Sequence, residues 1–214
     1  MHKSSVNWEY SRGIKFFQMR TGGEEMSFLS VFTDSQKLKA HFDDKIATRK
    51  METRLEEVFL TVHQRPPIVL CIGTDRSTGD SLGPLTGTYL SRLGLPKLTV
   101  FGTLDQPVHA TNLTDNLQYI QHTYNNPFVI AIDACLGKMD SVGHITLANG
   151  PLKPGAGVHK DLPAVGEVHL TGIVNVGGFM EYMVLQNTRL SLVWKMAETL
   201  SELISKAYIK TRIS

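Results

Sequence analysis

The chain has few of the features that mark specialised protein classes. Only two of its 214 residues are cysteine. Both Cys71 and Cys135 stand in apolar surroundings, which suits small buried hydrophobes in a reducing compartment better than a disulfide framework. No apolar run approaches the length of a membrane span, and the start of the sequence lacks the basic region, apolar run and small-residue cleavage site of a secretory leader. A cytoplasmic protein is therefore expected. Neither sign of charge dominates: 22 Lys and Arg face 20 Asp and Glu, for a formal net charge of +2. Such a balance supplies no field for nucleic acid or an anionic membrane, and neither is an expected partner. The 8 histidines are scattered. No His-Glu-x-x-His or Cys-x-x-Cys pattern is present, and there is no internal repeat.

What is present suits one main domain with an appendage. Residues 1–33 are expected to be peripheral, since the first 25 show no sustained periodicity. Gly22-Gly23-Glu24-Glu25, directly before Met26, is what the purine-rich codons of a bacterial ribosome-binding site would encode; the alternative is a genuine flexible arm. From Asp34, an expected N-cap, to Val62, apolar residues recur at helical spacing through Leu38, Phe42, Ile46, Met51, Leu55, Val58 and Phe59. This predicts a long amphipathic N-terminal helix within residues 34–65, ended by Gln64-Arg65-Pro66-Pro67.

Beyond those prolines, residues 66–210 alternate short apolar runs with amphipathic segments. That pattern predicts an α/β domain, a three-layer sandwich with a mostly parallel sheet flanked by helices. Strands are expected at 68–72, 98–102, 128–133, 143–148 and 167–174, and helices near 82–93, 112–124, 178–186 and 190–208. Gly79, Gly83 and Gly87, four apart, would let the first of these helices approach the sheet closely. A Gly/Pro-rich loop, residues 149–166, is long enough to be functional.

Ligands of open α/β sheets bind beyond the carboxyl ends of the strands. Asp80 and Asp133 both fall there. The surrounding segment, Thr78-Gly79-Asp80-Ser81-Leu82-Gly83-Pro84-Leu85, matches neither a P-loop nor a dinucleotide fingerprint, for it has no lysine and no G-x-G-x-x-G. It does match G-x-S-x-G, and Asp133 with His159 or His169 would complete a Ser, Asp, His order. Against this, a polar loop separates the first strand from Gly79, and the acid-histidine spacing is not that of the lipases. Ser81 reads better as a residue of the first helical turn or a cap. A metal held by Asp80, Asp133 and His169 is a weaker alternative. Of two converging carboxylates that share a proton, one would activate water while the other polarises a carbonyl or protonates a leaving amine; as an ordinary alternative, Asp80 caps its helix and Asp133 a loop.

The segments GTDRSTGDSLGPL and FVIAIDA resemble the α/β core shared by the spore germination protease and the hydrogenase maturation endopeptidases. Asp80-Ser81-Leu82-Gly83-Pro84-Leu85 mirrors the germination protease's Asp-Ala-Leu-Gly-Pro-Leu, and Lys153 to Leu162 is similar to its Pro-Gly-Ser-Gly-Val loop. The overall resemblance, over about Pro66 to Asn187, is to small sporulation proteins of the YyaC family, described as spore proteases. It implies a hydrogenase-maturation-protease/phosphorylase-like fold and an aspartic-type endopeptidase with Asp80 and Asp133 as the catalytic pair. It also implies a sporulation or germination role in the forespore or spore interior. A protein or peptide substrate is implied, small acid-soluble spore proteins among the candidates; no cofactor is expected, and a homo-oligomer is compatible with it. The maturation endopeptidases place a histidine near the position of Asn175, so the metal set is not intact here. Asp75, Arg76, Asp105, His159 and Lys160 are expected at the rim of the cleft. A noncatalytic sporulation binding protein of the same fold is the other class.

Overall fold

In the computed structural model the described residues are 6–11, 14–21, 24–30, 37–154 and 162–213. The chain divides into two compact units, Met1–Lys37 and Leu38–Ser214. The first unit contains three strands, β1 (Val6–Ser11), β2 (Ile14–Thr21) and β3 (Glu24–Ser30), in an antiparallel meander. Trp8 stands opposite Phe17 and Phe17 opposite Phe28 in its register. This regular structure was not legible in the sequence, where the alternation is too irregular to announce strands.

The second unit opens with a departure from expectation. Leu38–His41 is not the start of a helix but strand β4, paired antiparallel with β8 (His144–Asn149). The expected cap, Asp34, lies outside the described residues. Helix α1 covers Lys45–Thr61, and its cap is Asp44, whose Oδ1 accepts from the backbone N–H groups of Ile46 (3.1 Å) and Ala47 (2.9 Å). Leu38, Phe42 and Ile46 fit the helical period only by coincidence; Ile46 is exposed. Asp44→Ala should cost about 1 kcal/mol of stability, read from the urea midpoint.

The sheet has six strands in the order β4-β8-β9-β7-β5-β6. Strands β5 (Pro67–Cys71), β6 (Thr99–Phe101), β7 (Phe128–Gly137) and β9 (Val168–Val176) are mutually parallel, whereas β8 is antiparallel to both its neighbours. The sheet is thus mixed, with β8 alone reversed. The α/β architecture with helices on both faces is as the sequence pattern predicts. β5 reads Pro-Ile-Val-Leu-Cys and is buried throughout, as a strand covered on both faces must be.

On one face, α2 (Leu82–Arg92) and α5 (Leu190–Ile213) pack on the sheet, and α1 packs on α5. Glycine sets the closeness of α2. A Cβ on Gly83 would lie 2.1 Å from the carbonyl oxygen of Ile72, and one on Gly87 would lie 2.1 Å from that of Gly102. Gly79, the third of the series, instead faces Leu185 and Thr188. The opposite face is closed by α3 (Leu113–Thr123): its Leu113 and Ile120 join Ile68, Leu70, Ile72 and Ala131 in one core. Beyond β9, the short α4 (Glu181–Gln186) lies against the turn that precedes α2. At the other end of the sheet, Arg65 makes a two-pronged pair with Glu167 (2.8 and 2.6 Å). It also donates to the carbonyls of Asn126 and Pro127, tying three chain segments together.

Candidate active site

The strand order creates a crevice between β5 and β7. From β5 the chain passes through α2 on one face to β6; it then crosses by α3 on the other face to β7, on the opposite side of β5. The loops leaving β5 and β7 therefore turn apart, and an open sheet binds ligands at such a switch point. Asp80 belongs to the loop after β5, and Asp133 lies in the upper half of β7.

The loop after β5 folds back tightly. Gly73 has φ +143°, and a Cβ there would stand 2.0 Å from the Asp80 carbonyl oxygen. Only glycine fits this approach. The N–H of Gly73 donates to the Val108 carbonyl (2.8 Å), and that of Thr74 donates to the Asp80 carbonyl (3.2 Å). A single 3-10 turn, Gly79–Ser81, then presents Asp80 and leads into α2. Burial pushes the Asp80 carboxyl above its ordinary range; the Thr74 backbone hydrogen bond and the charge of His109 pull the other way. His109 comes from the loop between β6 and α3, which Ile72 and Val108 clamp in a parallel bridge. Its backbone N–H donates to Asn112 Oδ1 (2.8 Å), and its ring Nδ1 meets Thr111 Oγ1 at 2.9 Å.

Asp133 is 6% exposed. In β7 the backbone groups of even-numbered residues point toward β5, as the Ile72 N–H to Ile132 carbonyl bond (2.7 Å) shows. The Ala134 N–H thus points toward β5, and it donates to Asp133 Oδ1 at 2.9 Å. That bond turns one carboxylate oxygen toward the β5 side of the strand. His169 shares the Asp133 side of the sheet two residues lower along the ladder, opposite Ala131. Its Nδ1 donates to the Gly150 carbonyl at 2.8 Å.

Asp75 and Arg76 are exposed in the loop before the turn, and Asp105 is exposed beside the Thr103–Gln106 backbone turn. His159 and Lys160 lie outside the described residues. Among the described residues no three His, Cys, Asp or Glu side chains form a group that would hold a metal, so Asp80, Asp133 and His169 do not make one. Asn175, where a histidine would complete the maturation-type set, acts as a structural tie. Its Nδ2 donates to Val184 O (3.2 Å) and Thr188 Oγ1 (3.1 Å), and its Oδ1 accepts from Val176 N–H (2.8 Å). Ser81 is buried, and its hydroxyl donates to the Thr78 carbonyl at 2.7 Å. Ser81→Ala should leave any hydrolytic activity within about twofold of wild type while costing about 1 kcal/mol in urea unfolding. His109 was missed in the sequence. Only its place just after the second strand, where a loop at the carboxyl end of a sheet begins, marks it.

The site and the sheet define an α/β protein of the open-sheet class with acidic residues at its switch point. The chain belongs to the family described as "Protein of unknown function (DUF1256)", which matches residues 39–203. It is 51% identical over 177 residues to the "Uncharacterized protein YyaC" of Bacillus subtilis (strain 168), across 82% of this chain and 86% of that protein. Among solved structures, a NiFe hydrogenase maturation protease, HycI from Thermococcus kodakarensis KOD1, superposes with TM-score 0.49 at 18% identity. That superposition covers 73% of this chain and 99% of the other.

Proposed function

We propose that this protein is an endopeptidase of the germination-protease type, in which Asp80 and Asp133 hydrolyse peptide bonds during sporulation or germination. The observation that supports the reading is the position of Asp80 in the loop after β5 and of Asp133 toward the carboxyl end of the neighbouring β7, in unlike settings. Asp80 is disfavoured as an anion by burial, and one oxygen of Asp133 is turned by an amide toward the β5 side. Carboxyls in unlike environments divide acid and base roles between them.

In the proposed reaction a water sits between them. Asp133 takes a proton from the water as its oxygen attacks the peptide carbonyl carbon. Asp80 donates its proton to the departing nitrogen, so that the C–N bond breaks to a carboxyl product and an amine. His109, whose charge lowers the cost of ionising Asp80, is a positioning residue. The substrate class is a protein of the spore interior, small acid-soluble spore proteins being the first to test, and the site of action is the forespore. Among the described residues no helix is long and apolar enough to cross a membrane.

The test is to incubate the purified protein with extracts of spore proteins and follow fragments by mass spectrometry, with Asp133→Asn alongside. Fragments made equally by both proteins would overturn the assignment. One observation favours a second reading, a binding protein of the same fold: Phe179, Met180, Tyr182 and Met183 form an exposed apolar patch. That reading gains if neither protein cuts and Asp80→Asn and Asp133→Asn cells sporulate and germinate normally.

A further inference from the structure

β7 is longer than its partner on one side. β5 pairs with it only over Phe128 to Ile132, whereas β9 follows it from Ile130 to Gly137. The register shift beside Cys135 and Leu136 skips Val174 on β9, so the alternation along β7 is kept; accordingly the Gly137 carbonyl accepts from Gly177 N–H on the β9 side (2.8 Å). Ala134 and Leu136 therefore turn their backbone groups toward the space beyond the end of β5. The Ala134 N–H is taken by Asp133. Among the described residues no strand pairs with the Ala134 carbonyl or with Leu136 on that side. Among the described residues this is a short sheet edge without a paired strand, beginning at Asp133 and close to the Gly79–Ser81 turn.

The edge ends at an apolar groove. Gly177, which closes the β7–β9 ladder, places a notional Cβ 3.4 Å from that of Leu136. The groove next to it, about 570 Å³, is lined by Asn175, Val176, Phe179, Met180, Met183 and Val184 among others. Phe179 is 90% exposed. A bare sheet edge takes an extended polypeptide as an added strand, with main-chain bonds for affinity and side-chain pockets for selection.

We infer that residues 134–136 of β7 bind the backbone of an unfolded or extended segment of a protein substrate as an added strand, with one large apolar side chain of that segment in the Phe179–Met183 groove. The inference rests on the peptidase reading for its occupant. The two features meet at Leu136 and Gly177, and the edge begins beside the carboxyl that would activate water. An added strand here places a peptide carbonyl beside Asp133, and it selects extended chain over folded protein. Among the described residues, none bonds the Ala134 carbonyl or the Leu136 N–H and carbonyl on the β5 side, which leaves three main-chain groups for such a strand. So few bonds leave the apolar groove to supply much of the affinity.

The experiment uses the full chain carrying Asp133→Asn, which keeps an acceptor for the Ala134 N–H while removing the proposed base. Reduced, carboxymethylated α-lactalbumin serves as the unfolded probe. Hydrogen exchange followed by mass spectrometry should show slowed exchange over residues 134–137 when the probe is added. Phe179→Asp in the same background should weaken fluorescence-detected binding by about tenfold or more, whereas Ile46→Asp, on exposed α1, should not. No protection over 134–137, or equal weakening by both variants, overturns the inference. Protection that rises with protein concentration without the probe means a second copy covers the edge, and it overturns the inference too. Wild-type cleavage with no such protection leaves the peptidase reading standing and removes this one. Protection without any cleavage dependent on Asp133 does the reverse.

Discussion

Asp133→Asn should reduce cleavage of spore-protein extracts by at least about a thousandfold, since a base that abstracts the water proton contributes on that order or more when the rest of the site depends on it. The amide of asparagine still accepts from Ala134 N–H, so the fold at β7 is preserved and the loss reads on chemistry. Asp80→Asn should be comparably inactive, but it should also raise stability. Burial holds the folded-state pKa of Asp80 above its unfolded value. The stabilising contribution of this carboxyl is therefore fully present below the unfolded pKa and is lost as pH rises through the folded one. Above its raised pKa the half-buried anion is a cost that asparagine removes. Asp80→Asn should then melt higher than wild type on the alkaline side of that pKa, with the gap closing in acid. The same shift predicts the rate profile: hydrolysis needs Asp80 protonated, so activity should fall as pH rises through its raised pKa. An activity that keeps rising there would overturn the role of Asp80 as the acid.

Gly73→Ala should be the most damaging single methyl group in the crevice. The added carbon would stand 2.0 Å from the Asp80 carbonyl oxygen at a backbone φ of +143°. Neither party can relieve the clash by rotating a side chain, because both are main chain. The expected cost is about 2–4 kcal/mol, combining the unfavourable conformation with displacement of the turn. Urea unfolding measures that part. Activity should fall further than stability, because the Gly79–Ser81 turn that aims Asp80 must shift. A Gly73→Ala protein that is folded and as active as wild type would show that Asp80 need not be held where it is.

The two halves of this site were not equally readable in the sequence. Asp133 closes the run Phe-Val-Ile-Ala-Ile, which a buried parallel strand demands, so its place at the carboxyl end of the sheet follows from hydrophobicity alone. Asp80 was legible as a loop acid, and the close approach of α2 was foreshadowed by Gly83 and Gly87. His109 was not, because its relation to Asp80 depends on a bridge between Ile72 and Val108, and no local pattern encodes a long-range pairing. The misplacement of the helix start has a similar origin. Leu38–His41 becomes a strand because β8 offers a ladder to it, and that partner is about a hundred residues away in the chain. Asp44, an aspartate directly before a run of good helix formers, was the local signal that should have outweighed periodicity there.

Cys71 offers an unplanned probe of how this domain breathes. Its side chain is sealed between the backbones of Gly87 and Gly102, and burial pushes its thiol well up. In a Cys135→Ser background, alkylation of Cys71 would require the α2 layer to lift from the sheet, with the thiol regaining its normal acidity only once wetted. The labelling rate would then act as a clock on that opening. Comparing the clock with and without an unfolded protein in the crevice would show whether occupancy at the carboxyl end of the sheet is felt through the glycine-packed seam beneath it.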